Sequence, residues 1–138
     1  MATSPQFVTT PNLGTNLTAS RISTANINRD GTGTLATLLT GGASGTRPDR
    51  VRIKATGTTT AGMIRFFLAD NQGTPAIRLI HEISVTAITP SATIESFAAE
   101  WVRTDGQPLV IVPSGWTLRV STHNAETFDV VPILSGDF

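Results

Sequence analysis

Between Asp49 and Thr56 apolar and basic residues alternate without a break, with Val51, Ile53 and Ala55 in one set and Arg50, Arg52 and Lys54 in the other. Successive side chains of a strand point to opposite faces, so this segment reads as a half-buried strand with three like charges on its polar face. The same period returns downstream. Met63 to Asp70 sets Ile64, Phe66 and Leu68 against Arg65, Asn71-Gln72-Gly73 supplies a turn, and Ala76 to Thr86 returns as the partner strand of a β-hairpin. Thr93 to Arg103 alternates Phe97, Ala99 and Trp101 against Ser96, Ala98 and Glu100 before a turn at Asp105-Gly106. Leu109 to Val112 is apolar on both faces, the pattern of a strand covered on both sides. After Pro113-Ser114-Gly115, Trp116 to Thr122 alternates Trp116, Leu118 and Val120 against Thr117, Arg119 and Ser121, and Thr127 to Leu134 closes the series. Pro132 has no N–H to give to a ladder, which predicts an edge or a bulge for that last strand. Ser20 to Ile27 and Thr34 to Leu39 are weaker strand candidates, and the second is short enough to be a single helical turn.

About nine short strands with Gly or Pro between them point to an all-β fold of two layers, and an antiparallel jelly-roll-like β-sandwich over residues 19–138 is the expected architecture. Composition agrees. Thr and Ser make up 33 of the 138 residues by direct count, while long runs of Ala, Leu, Glu and Lys are missing. Residues 1–18 contain two prolines and few apolar side chains, so they read as an extended N-terminal arm with no fold of its own. The remainder suffices for one core that buries roughly 68–70% of the unfolded surface.

Ten Lys or Arg balance ten Asp or Glu, for a formal net charge of +0, and charged residues are only 14% of the chain. Nucleic acid and anionic membranes demand a positive field, so neither is expected as a partner. With no Cys, Cys-based zinc sites, thiol catalysis and disulfides are excluded. MATSPQFVTT lacks a basic segment followed by an apolar stretch, and no apolar run approaches the ~18 residues of a membrane span. The expectation is a soluble protein without a visible export signal.

Groups that could carry chemistry are sparse. His81 lies in line with Ile77, Leu79, Ile83 and Val85, while Glu82 points to the opposite face, which suits a buried or interface histidine better than a base with its orienter. Glu82, Glu95, Glu100, Asp70, Asp105 and Glu126 are scattered singly, unlike the facing carboxylates of a glycosidase. Gly41-Gly42-Ala43-Ser44-Gly45-Thr46 lacks the lysine and following helix of a phosphate loop and reads as a flexible connector. Asp30 in Arg29-Asp30-Gly31 lacks the spaced oxygen ligands of a calcium loop. Asn16-Leu17-Thr18 fits a glycosylation acceptor, relevant only in a secretory compartment. Trp101 and Trp116 alternate in phase with core residues, which favours packing over sugar stacking. No catalytic residue, cofactor or metal ligand is assigned.

The C-terminal third is more particular: Pro113-Ser114-Gly115-Trp116-Thr117-Leu118-Arg119-Val120-Ser121-Thr122, a polar turn at His123 to Glu126, Phe128-Asp129-Val130-Val131-Pro132-Ile133, and Gly136-Asp137. This arrangement resembles the C-terminal hairpin of small β-sandwich virion proteins of tailed bacteriophages, including proteins that decorate or cement the capsid. Elsewhere the likeness is one of strand count, Thr/Gly/Ala composition and the open arm. The resemblance implies a non-enzymatic protein made in the host cytoplasm, oligomerising as a trimer and binding the major capsid protein on the outer surface of the virion. It brings no catalytic motif. The arm, through Phe7, Val8, Leu13 and Leu17, and the basic face, through Arg50 and Arg52, are then the expected contact residues. Two alternatives remain open from the residues: a tail or fibre module that binds a receptor, and a carbohydrate-binding module.

Overall fold

A computed structural model describes residues 10–138 and contains, among them, nine strands and no helix: β1 (Thr10–Pro11), β2 (Arg21–Ile22), β3 (Ala36–Thr40), β4 (Thr46–Ala55), β5 (Gly62–Ala69), β6 (Ile77–Val85), β7 (Ala98–Val102), β8 (Thr117–Thr122) and β9 (Phe128–Asp137). They form two antiparallel sheets. One runs β1-β9-β4-β7, with β2 also paired to β9, and the other runs β3-β8-β5-β6.

The pairings β2·β9, β3·β8, β4·β7 and β5·β6 join strands at steadily decreasing sequence distance. They describe a ribbon doubled back on itself, its tip the β5–β6 hairpin. The pairings β4·β9 and β5·β8 then wrap that ribbon into two layers. This order is compatible with the expected jelly-roll.

The alternation anticipated for β4 holds. Val51, Ile53 and Ala55 are buried, as are Ile64 and Phe66 of β5, Leu118 and Val120 of β8, and Phe128 and Val130 of β9, all in one core cluster. Each of these Val, Ile, Leu and Phe side chains contributes about 1.5–3 kcal/mol on burial. The connector Gly41 to Thr46 is tied down. Gly41 donates its N–H to the Trp116 carbonyl (2.8 Å), and a Cβ there would stand 1.9 Å from the Pro113 carbonyl oxygen, which only glycine tolerates.

Three expectations need correction. Leu109 to Val112 is not a strand; only Val112 makes a bridge, to Thr46, and Ile111 is exposed, so two apolar faces here mark a loop lying partly on the core. In place of that segment the ninth strand is β1, within the expected arm: Thr10 and Pro11 pair with Asp137 and Gly136. Arg65, assigned to a polar face, is only 2% exposed, because the β2–β3 connection lies over that side of the sheet. The expectation for Pro132 holds: β4 flanks one side of its strand throughout, while β1 and β2 pair only with the two ends of the other side. Pro132 falls where the β4·β9 register slips, between the pairs Arg50–Leu134 and Arg52–Val131. A bulge accommodates the missing N–H there.

Candidate interaction surface

The solvent side of the β1-β9-β4-β7 sheet collects the residues singled out on the basic strand. Directly opposed residues in antiparallel strands project to the same side. Arg50 therefore stands in a row between Val102 and Leu134, Arg52 between Glu100 and Val131, and Lys54 between Ala98 and Asp129. Val102 and Leu134 are 41% and 55% exposed. Two apolar residues thus flank a cation on an open sheet face.

The charges are partly answered within the chain. Arg50 Nε lies 3.5 Å and Arg52 Nη1 3.8 Å from the Glu100 carboxylate, so one anion serves two cations. Arg50 Nε is close enough to Glu100 for attraction yet makes no hydrogen bond, because proximity without alignment does not suffice. Lys54 Nζ donates to the Ser96 carbonyl at 3.0 Å. Arg50, Arg52 and Lys54 share this side with two carboxylates, Glu100 and the Asp129 that Arg21 already holds, which leaves the strip basic.

Bordering this face is a shallow groove of about 510 Å³ lined by Leu17, Thr18, Ser20, Arg21, Asp129 and Val131. Arg21 grips Asp129 through two nitrogens, Nε to Oδ1 at 2.7 Å and Nη2 to Oδ2 at 3.0 Å. Hydrogen bonding from Arg21 holds the Asp129 carboxyl below its ordinary range, against an opposing effect of burial. Leu17, 66% exposed, faces the groove together with Val131, itself the register partner of Arg52.

Of the expected contact residues, the structure therefore gathers Arg50, Arg52 and Leu17 on one continuous region. Leu13 is 38% exposed and takes no part in the groove. Phe7 and Val8 lie outside the described residues. Leu134, Val131, Val102 and Glu100 escaped the sequence analysis as surface partners. The alternation of Thr93 to Arg103 already placed Glu100 on the polar face, and extending it by two residues reaches Val102, but the bulge at Pro132 breaks the period that could have placed Val131 and Leu134 there.

The remaining candidates are structural. His81 is half-buried and stacks on Trp101 with ring centroids 4.6 Å apart and planes 9° from parallel. Burial lowers the His81 ionisation below its usual value, with the charge of Glu82 opposing. Trp101 is 7% exposed, and Trp116 is half-buried against the core. Among the described residues no group of three His, Asp or Glu could hold a metal, and no helix is long and apolar enough to cross a membrane. Comparison with family models, with curated proteins and with solved structures found no match.

Proposed function

We propose that this chain is a structural, non-enzymatic virion protein of a tailed bacteriophage that decorates the outer surface of the assembled capsid and stabilises it. The observation that carries this reading is the solvent side of the β1-β9-β4-β7 sheet, where Leu134 and Val102 flank Arg50 and Leu17 opens a groove beside Arg52's neighbour Val131. The likeness of residues 113–137 to the C-terminal hairpin of small phage β-sandwich proteins supplies the particular setting. A protein that binds only the assembled shell adds its contact free energy to shell stability by mass action, and needs area and complementarity for this, with no reactive group. On this reading the sheet face meets the major capsid protein, and three copies associate around a symmetry axis.

The test is co-sedimentation with capsids assembled without the protein. Wild-type chain should pellet with shells and raise their melting temperature. The triple variant Arg50→Glu, Arg52→Glu, Leu134→Asp should lose binding at least tenfold while keeping its own unfolding transition. Binding unchanged in that variant removes this face from the contact, and attachment to tails alone replaces decoration with the tail or fibre alternative. Monomers at micromolar concentration in native mass spectrometry would count against the trimer. The carbohydrate alternative loses one of its two tryptophans to burial: Trp101 stacks inside the sandwich, where no sugar ring can reach its face, and Trp116 is half-buried against the core.

A further inference from the structure

The β2–β3 connection, residues 23–35, lies like a strap across the outer side of the β3-β8-β5-β6 sheet. Ala25 bridges to Thr122 of β8, and the Asn26 N–H donates to the Thr122 carbonyl at 2.8 Å. Further along, Arg29 Nε reaches Glu82 of β6 at 3.0 Å, and Gly31, at φ +91°, packs so closely on Ile77 that a Cβ would stand 2.9 Å from Ile77 Cβ. Arg65 is sealed beneath.

The buried guanidinium is held on three sides. Nε donates to Glu82 Oε2 at 3.2 Å, Nη1 donates to the Asn26 carbonyl of the strap at 3.4 Å, and both Nη1 and Nη2 lie 3.2 Å from His123 Nδ1. A guanidinium has donors only, so Nδ1 must present its lone pair and the ring must be neutral, with its hydrogen on Nε2. An imidazolium has no lone pair to offer. The surrounding charges sharpen the conflict. Arg29 and Arg65 against Glu82 sum to +1 (two cations, one anion), and a proton on His123 makes +2 around one carboxylate that two arginines already share. Ser121, opposite Arg65 in β8, is uncharged, Asp30 at the strap's tip is engaged by Thr32, Glu126 accepts from Thr60, and His81 sits on the other face of β6. None of these is hydrogen-bonded to the ring, whose contacts are both to Arg65, and Glu126 Oε1, three residues on, is buried without a hydrogen-bond partner.

We propose that Arg65 and His123 form a proton-operated clasp: with the imidazole neutral the strap is held against the sheet, and proton uptake at His123 releases it. Release uncovers Arg65 together with its outer side of β5, where the fully buried Phe67 follows two residues on. The clasp is independent of the capsid-binding face, which lies on the other sheet.

The experiment follows His123 ring protonation and amide protection by NMR on the full chain from about pH 8 to about pH 5, the interval in which histidine changes charge. Protection factors are used because they remove the intrinsic pH dependence of exchange. The Asn26 amide should lose at least tenfold in protection, with the same midpoint as His123 protonation, while the β4·β9 ladder keeps its own. In His123→Gln, which retains an acceptor but cannot titrate, the loss should vanish, and in His81→Leu it should persist. Asn26 protection that stays constant while His123 titrates overturns the clasp, as does a loss that survives in His123→Gln. Should His123→Gln fail to fold, the wild-type comparison decides alone.

Discussion

Trp101 and His81 close one side of the sandwich, and their removal tests how the two layers are joined. β6 and β7 are edge strands of different sheets, with no strand pairing between them, so the parallel stack at 4.6 Å is a bridge between layers. Phe66 backs it, its ring 4.7 Å from Trp101 and 6.2 Å from His81. Truncating a buried Trp to Ala costs about 3–5 kcal/mol, and leucine refills part of that volume, so Trp101→Leu should cost about 2–3 kcal/mol. An aromatic pair is worth about 0.5–1.5 kcal/mol beyond its area, so a cycle with His81→Leu should return a coupling near 1 kcal/mol. Urea unfolding of wild type, both single variants and the double variant at about pH 7.5 measures it. The same set carries a pH signature. Because burial lowers the folded ionisation of His81, the unfolded chain binds more protons just below the ordinary histidine value of about 6.5. This contribution to stability is present in full above about pH 6.5 and is lost as the pH falls through the folded value. The slope of stability against pH in that window should flatten in His81→Leu, with His123 common to both proteins. A coupling under about 0.3 kcal/mol, or an unchanged slope, would refute the stack as an inter-sheet bridge.

Thr46→Val removes a buried hydroxyl that donates to Asp137 Oδ1 and accepts from the Gly42 N–H (2.9 Å) and Asn12 Nδ2 (3.3 Å). The expected loss is about 1–3 kcal/mol, and faster exchange at the Asn12 amide, bonded to the Ser135 carbonyl, should show β1 loosening first. Gly41→Ala drives a methyl into the Pro113 carbonyl and should destabilise by about 3 kcal/mol or more, visible as a lowered thermal midpoint, and a midpoint near wild type would mean the connector can shift freely. In a carbon-detected pH titration, the Asp129 carboxyl should ionise below the usual aspartate range and move back toward it in Arg21→Gln. Stability linked to Asp129 is present above its unfolded value of about 3.9 and lost as pH falls through the lowered folded value.

Legibility followed periodicity. β4, β6 and β8 were readable because apolar and polar residues alternate along most of each, β5 because Ile64, Phe66 and Leu68 mark its inner face, and the turn at Asn71-Gln72-Gly73 marked the hairpin between β5 and β6. β1 and β2 were not readable at their observed lengths. Two residues cannot display a period, and their place in the sheet comes from β9, which offers its free edge at Gly136–Asp137 and Phe128–Asp129. Leu109 to Val112 misled because a loop pressed on the core shows the same unbroken apolar run as a covered strand. Arg65 misled in the opposite direction: alternation sets the face of a strand but says nothing of what else lies on that face.

The candidate site divides along the same line. Arg50 and Arg52 were visible because local geometry alone sends them to the solvent side of β4, whatever the strand's neighbours. Their companions depended on register across strands more than 45 residues apart in sequence, on a bulge that turns Leu134 outward, and on the path of the chain through Leu17. Backbone stereochemistry acts between adjacent residues, so the order of amino acids determined the all-β character, the core faces and the basic strip. Pairing partners, the strap over Arg65 and the apolar companions of Arg50 arise from contacts between distant segments, and only the folded chain could decide them.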